Sequence, residues 1–228
     1  MGRKIYVVGA GGKTSLIQRM AQELTQKGRL VAILTTTHRM IPQENGILLK
    51  DDQNFTGDEF RGHSCLEIGR VVIDRQGNVR MGYPGDIDYH KIEAVADDIL
   101  IEADGSKRLP VKVPASHEPV IFPDADRIYV VEGLSGLGKP IGMVCHRLEL
   151  VKNILKTEEE EKILQIEDLG ILMKYGYLQP LRFRFPKAEV IPVLNQADTE
   201  ELKKAGRQIL KNIGEKGGLV LKLKSTDT

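Results

Sequence analysis

The stretch Val7–Ser15, VVGAGGKTS, ends a short apolar run and opens a helical pattern. Its residue types suit phosphate chemistry. Gly9, Gly11 and Gly12 let backbone N–H groups turn inward around an anion, and Lys13 has the reach to meet outer phosphates. Thr14, followed by Ser15, places a hydroxyl where Mg²⁺ would sit. A helix beginning near Lys13 adds the partial positive charge of its N-terminus. The spacing departs from G-x-x-x-x-G-K-[ST], which requires glycine at position 7, where this chain has Val7. A dinucleotide loop is the competing reading, with Gly9 and Gly11 as the first two glycines of G-x-G-x-x-G. The third position is Thr14, however, and the next strand ends in Thr35, Thr36, Thr37 and His38, with no acid to hold a ribose. A plain glycine turn accounts for neither the GKT triplet nor its place between strand and helix.

Phosphoryl chemistry also needs an acid near the loop, to hold Mg²⁺ or orient an attacking water. In ILIEADGS, Glu102 and Asp104 lie two apart, so on a continuing strand both face the same side. The same residues would also serve an ordinary strand-end turn. In LNQAD, Asn195 and Asp198 have the spacing of the N-K-x-D element that reads guanine, the carboxylate accepting two hydrogen bonds from the base edge. Gln196 stands where that element has lysine, and either Asp198 or Thr199 would equally cap the following helix. Thr36 or Thr37 is a candidate phosphate or Mg²⁺ contact at the sheet's C-terminal edge.

Two later loops carry further chemistry. Lys107, Arg108 and Lys112, stiffened by Pro110 and Pro114, could face an oxyanion or simply cover the domain edge. His117 beside Glu118 is available for proton transfer. In GLGKPIGMVCHR, Gly136, Gly138 and Lys139 could form a second anion turn. Cys145 beside His146 is either a reactive thiol or inert core.

The elements that must position these groups alternate. KIYVV and RLVAILTTT have the β-branched character of strands buried on both faces, and KTSLIQRMAQELTQKG between them is an amphipathic helix ending near Gly28. The region from about 41 to 85 is broken by Gly, Asn, Asp and Pro, and predicts an antiparallel hairpin insertion turning at Gln76, Gly77 and Asn78. A modest helix in DYHKIEAVADD, then strands in ILIEADGS and RIYVVEG, resume the alternation. A helical stretch follows from His146 to about Tyr177, with Thr157 and Glu160 as a capping box. Strand AEVIPVLNQAD, a helix from about Glu200 to Lys216 and strand GLVLKLK complete the chain. The expected architecture is one α/β domain over 1–228: three-layer, P-loop-like, mostly parallel, with a small antiparallel insertion.

With 33 basic and 32 acidic side chains the formal charge is +1, which gives no global attraction to nucleic acid or an anionic membrane. Cys65 and Cys145 are the only cysteines, too few for a disulfide framework or structural zinc site. No apolar stretch is long enough for a membrane span or signal peptide, and a cytoplasmic protein is expected.

VVGAGGKTSL, LTTTH, IEADGSKRLPVKVPASHEPVI, GLGKPIGMVCHR and VLNQAD together resemble the YqeC-type family, accessory proteins of selenium-dependent molybdenum hydroxylases. The resemblance runs from the first strand to about Asp198 and is most specific from Glu102 to Ile121. It implies a P-loop-like protein that acts in maturation of a selenium-containing molybdenum cofactor. The residues themselves supply the expected reaction, hydrolysis of ATP or GTP with Mg²⁺ at a site that includes Lys13, Glu102, Asp104 and His117. A non-catalytic carrier gripping the phosphate of a molybdopterin-type cofactor, and handing it to a molybdenum hydroxylase, is the alternative.

Overall fold

The computed structural model describes residues 2–42, 44–50, 52–74 and 76–223. Strand β1 (Arg3–Gly9) is followed by helix α1 (Lys13–Thr25), and β2 (Val31–Thr35) completes the first βαβ unit. Then come β3 (Gly46–Leu49), β4 (Cys65–Ile73), β5 (Val79–Gly82), α2 (Asp86–Val95), β6 (Asp98–Glu102), β7 (Val111–Lys112) and β8 (Arg127–Gly133). Further along lie α3 (Ile141–Val144), β9 (Cys145–His146), α4 (Leu148–Leu155), α5 (Ile166–Ile171), α6 (Gln179–Arg184), β10 (Glu189–Asn195), α7 (Glu200–Asn212) and β11 (Leu219–Val220).

The main sheet has the order β11-β10-β8-β1-β6-β2-β4-β3, with β5 paired to β4. Every pairing in it is parallel except β4 with β5. β1 lies between β6 and β8, in a register that sets Val7 beside Glu102 and Gly9 beside Val131. The chain leaves β1 for β2 on one side, whereas β6 crosses past β1 to β8 on the other. The loops after β1, β6 and β8 therefore part at one sheet edge, the place where open α/β sheets bind ligands.

Alternation along β1 divides the core. Ile5 and Val7 join Val31, Ile33 and Leu100 beneath Leu16, Ile17 and Ala21 of α1. Tyr6 and Val8 point to the opposite face, into the larger cluster that holds Leu169, Leu172, Tyr177 and Ile209. The result is the expected α/β arrangement, with helices on both faces of a mostly parallel sheet and a small separate pair, β7 with β9.

Three expectations need correction. The segment from 41 to 85 is less separate than a hairpin insertion, because β4 extends the main sheet in parallel with both β2 and β3. Only its far half turns back on β5, through a bend where Asp74 accepts from the backbone N–H of Gln76 and Asn78; Arg75 in that bend lies outside the described residues. The acidic run after Thr157 does not start a helix. Thr157 Oγ1 accepts from Glu159 N instead, and the capping box sits at Gln165 and Asp168, ahead of α5. Four consecutive glutamates repel and offer no apolar stripe, whereas Ile166 and Leu169 do. The last strand is confined to Leu219–Val220, and Lys224 at its predicted end lies outside the described residues.

Between α5 and α6 the helix widens into a π-helical segment, Leu172–Leu178. Such segments are rare and concentrate at functional sites. This one carries Tyr177.

Candidate functional site

The glycine loop closes tightly on its neighbours. Gly9 has φ +95°, and a Cβ there would lie 2.1 Å from the Val131 carbonyl oxygen. Gly12 has φ +117° and forms the N-cap of α1 without any side-chain cap. The first-turn amides of this 13-residue helix thus keep their donors unspent. Gly11 through Ser15 line a cleft of about 890 Å³ at the C-terminal edge of the sheet. Its other walls include His38 and Arg39, Arg80 from β5, Glu102, the turn from Gly105 to Leu109, and His146.

Lys13 is almost fully buried. Its ammonium donates to the Gly9 carbonyl at 2.8 Å and lies 3.3 Å from Asp104 and 3.8 Å from Glu102. Thr14 Oγ1 donates to Glu102 Oε2 at 3.4 Å. Arg39 approaches the same carboxylate at 3.5 Å and also pairs with Glu67. Lys13, Thr14 and Glu102 therefore meet at the edge of the glycine loop.

Asp104 does not share this surface. It is fully buried beneath the loop, where both its oxygens accept from Gly9 N at 3.0 Å and one accepts from Tyr177 Oη at 2.8 Å. Two ammonium groups flank it, Lys13 at 3.3 Å and Lys112 at 3.2 Å. With its lone pairs committed to these donors, Asp104 holds the loop's shape and has no face toward the cleft. Lys112, also fully buried, donates to Gly105 O at 2.6 Å and pairs with Glu118 at 2.9 Å, fixing two loops at once. Arg147 braces Glu118 from the other side. The pairing cations outweigh burial and hold the Glu118 carboxyl down at about 2.

Glu132 completes the buried group. One oxygen accepts from Lys112 N at 3.0 Å, and Oε1 has no partner among the described residues. Burial, with the charge of Asp104 beside it, pushes its carboxyl well above the ordinary value. Neither Glu132 nor Tyr177 is evident from motif spacing. Glu132 left one usable sign: like Glu102, it is a lone acid at the end of an apolar strand. Nothing local marks Tyr177, which reaches Asp104 from 73 residues away.

Asn195 also lines the cleft, whereas the other expected residues are used within the fold or lie away from it. The Asn195 amide donates to Gly11 O at 2.9 Å and its carbonyl accepts from Leu223 N at 2.9 Å, so the side chain ties the glycine loop to the segment after β11. Gln196 accepts from Ser135 Oγ. Asp198 is exposed and outside the cleft lining, and Thr199 is the cap of α7. Thr36 Oγ1 donates to Val120 O at 2.9 Å, and Thr37 Oγ1 bonds Thr35 Oγ1 at 3.1 Å, so both hydroxyls are used within the fold. His117 sits on an exposed turn away from the cleft lining, whereas His146 lines it. Burial, then the neighbouring cations of Lys112, Arg147 and Lys107, lowers the His146 pKa. Cys145 is inert core: burial first, then Glu132 and Asp168, push its thiol up to about 12.

Among the described residues no three His, Cys, Asp or Glu side chains gather into a metal site. Mg²⁺ does not require one, since it is commonly held by one or two protein oxygens together with substrate phosphates and water. Thr14 and Glu102 fit that description. No helix among the described residues is long and apolar enough to cross a membrane.

Fold and cleft define an α/β protein whose glycine loop and helix N-terminus face a polar cleft at the switch point of a parallel sheet. The family model for YqeC protein matches residues 5–149, which span the glycine loop, β6 and the cleft's Gly105–Leu109 wall. The uncharacterized protein YqeC of Escherichia coli (strain K12) is 33% identical over 176 residues, covering 75% of this chain and 67% of that protein. The chain belongs to the YqeC family.

Proposed function

We propose that the cleft binds the phosphates of a nucleoside triphosphate, ATP or GTP, with Mg²⁺. The observation that carries this reading is the uncapped N-terminus of α1, which opens onto the same cleft as Lys13, Thr14 and Glu102. First-turn amides supply hydrogen bonds to phosphate oxygens, and Lys13 supplies charge. Thr14 and Glu102 would hold Mg²⁺, which supplies charge neutralisation on the phosphates. Glu102, which lines the cleft, would orient the attacking water. Asp104 serves as a positioning residue that holds Gly9, and His117 takes no part.

The base is not read by Asn195, whose amide is committed to the glycine loop. The setting we propose is maturation of a selenium-containing molybdenum cofactor for a molybdenum hydroxylase. Phosphate release from ATP or GTP tests hydrolysis: turnover in the wild type that is lost in Lys13→Ala supports it. A carrier of a molybdopterin-type phosphate is the reading favoured by the engagement of Lys13 with Gly9 and Asp104. Tight phosphate-ligand binding without turnover would select the carrier.

A further inference from the structure

Among the described residues the cations around the cleft are nearly all matched by acids. Lys13 faces Asp104, Arg39 faces Glu67 and Glu102, Arg80 faces Asp74, and Lys112 and Arg147 share Glu118. Lys107 and Arg108 are the exception. Both are exposed, both line the cleft, and neither forms an ion pair among the described residues.

Their backbone is also unusual. Lys107 has φ +48° and Arg108 φ +62°, and Leu109 N donates to Ser106 O at 3.0 Å. This is a type I′ turn, whose two central positions ordinarily go to Asn, whose short polar side chain tolerates the left-handed region, and to Gly, which lacks a Cβ; longer side chains are strained there. Two long cations occupy both positions instead. The turn is fastened from below by Lys112, which takes the Gly105 carbonyl, and from behind by Pro110 O, which accepts from Gly133 N at 2.7 Å. A Cβ on Gly11 would lie 2.9 Å from that same Pro110 oxygen, so the base of the turn abuts the glycine loop. Strain held in place by such fastening points toward use of the side chains it displays.

We propose that the Lys107–Arg108 turn is a second anion subsite. The ligand would then carry two linked anionic groups, one on the amides of Gly12–Ser15 and the next on this turn. The inference deepens the phosphate reading of the glycine loop and rests on it. Among the described residues the cleft lining holds Lys107, Arg108, Arg39 and Arg80 but no Phe, Tyr or Trp, a composition suited to anionic groups.

The test uses inorganic phosphate and tripolyphosphate as probes, titrated by ³¹P NMR into the full chain. Lys107→Asn/Arg108→Gly removes both charges and installs the residues a type I′ turn prefers, so its melting temperature should equal or exceed that of the wild type. Tripolyphosphate affinity should fall at least about tenfold in this variant, and inorganic phosphate affinity should change less than about threefold. Lys13→Ala should weaken both probes. Unchanged tripolyphosphate affinity in the turn variant, with inorganic phosphate still weakened by Lys13→Ala, would overturn the subsite and leave the glycine-loop reading standing. Tripolyphosphate affinity that depends on the turn but not on Lys13, with no binding of inorganic phosphate, would instead remove the loop and with it the linked pair.

Discussion

Asp104→Asn should destabilise the protein and loosen the glycine loop, although Asp104 touches no ligand in this account. The carboxylate is fully buried, accepts from Gly9 N with both oxygens and from Tyr177 Oη, and sits between Lys13 and Lys112 at 3.3 and 3.2 Å. Asparagine keeps one acceptor and turns an NH₂ group toward donors. Lys112 retains Gly105 O and Glu118, but Lys13 is left with Gly9 O and the more distant Glu102. Removing one partner of a buried pair costs about 3–5 kcal/mol. For a domain of this size that is a fall in Tm of roughly 6–20 °C by calorimetry. Tyr177→Phe deletes only one hydrogen bond to a charged acceptor and should cost about 1.5–3 kcal/mol. An Asp104→Asn melting temperature within about 2 °C of wild type would refute the buried network as the loop's support.

Glu132→Gln carries a pH signature. A carboxyl whose folded pKa lies above its unfolded value binds its proton more tightly when folded. Wild-type stability from this group is therefore full below the unfolded value near pH 4.3, and falls by up to about 1.4 kcal/mol per unit as pH rises toward the folded value. A glutamine side chain has no proton to lose, so the variant should gain on wild type in denaturant midpoint from pH 5 to pH 8, and a constant difference would contradict the neutral acid. Asp198→Asn should leave GTP affinity within about twofold in equilibrium titration, because Asp198 lies outside the cleft and Thr199 caps α7. A large, guanine-selective loss would restore a base-reading role.

The parallel layout was legible because each strand is a short apolar run between turn residues, and α1 shows its apolar stripe plainly. The loop was legible because a few adjacent residues, Gly9 to Thr14, make it. What failed was local inference without a packing partner. Thr157 and Glu160 have capping-box spacing, but the segment has no apolar face to dock, and the helix waits for Ile166. Asn195 and Asp198 match a recognition motif in spacing, yet the amide is taken by Gly11 O. Glu102 and Asp104 share a side in sequence, but Asp104 lies past the end of β6 and turns under the loop. The support beneath the loop, Glu132 and Tyr177, arrives from distant strands and helices. Only the sheet order and the π-helical register bring it there.

Phosphate binding by the glycine loop is read out by calorimetric titration of Mg²⁺ with ATP and with GTP into wild type and Lys13→Ala. Saturable binding to wild type should weaken at least about tenfold in Lys13→Ala, the scale of one charge-assisted contact. Absence of binding to wild type, or equal affinity in the two proteins, would contradict it.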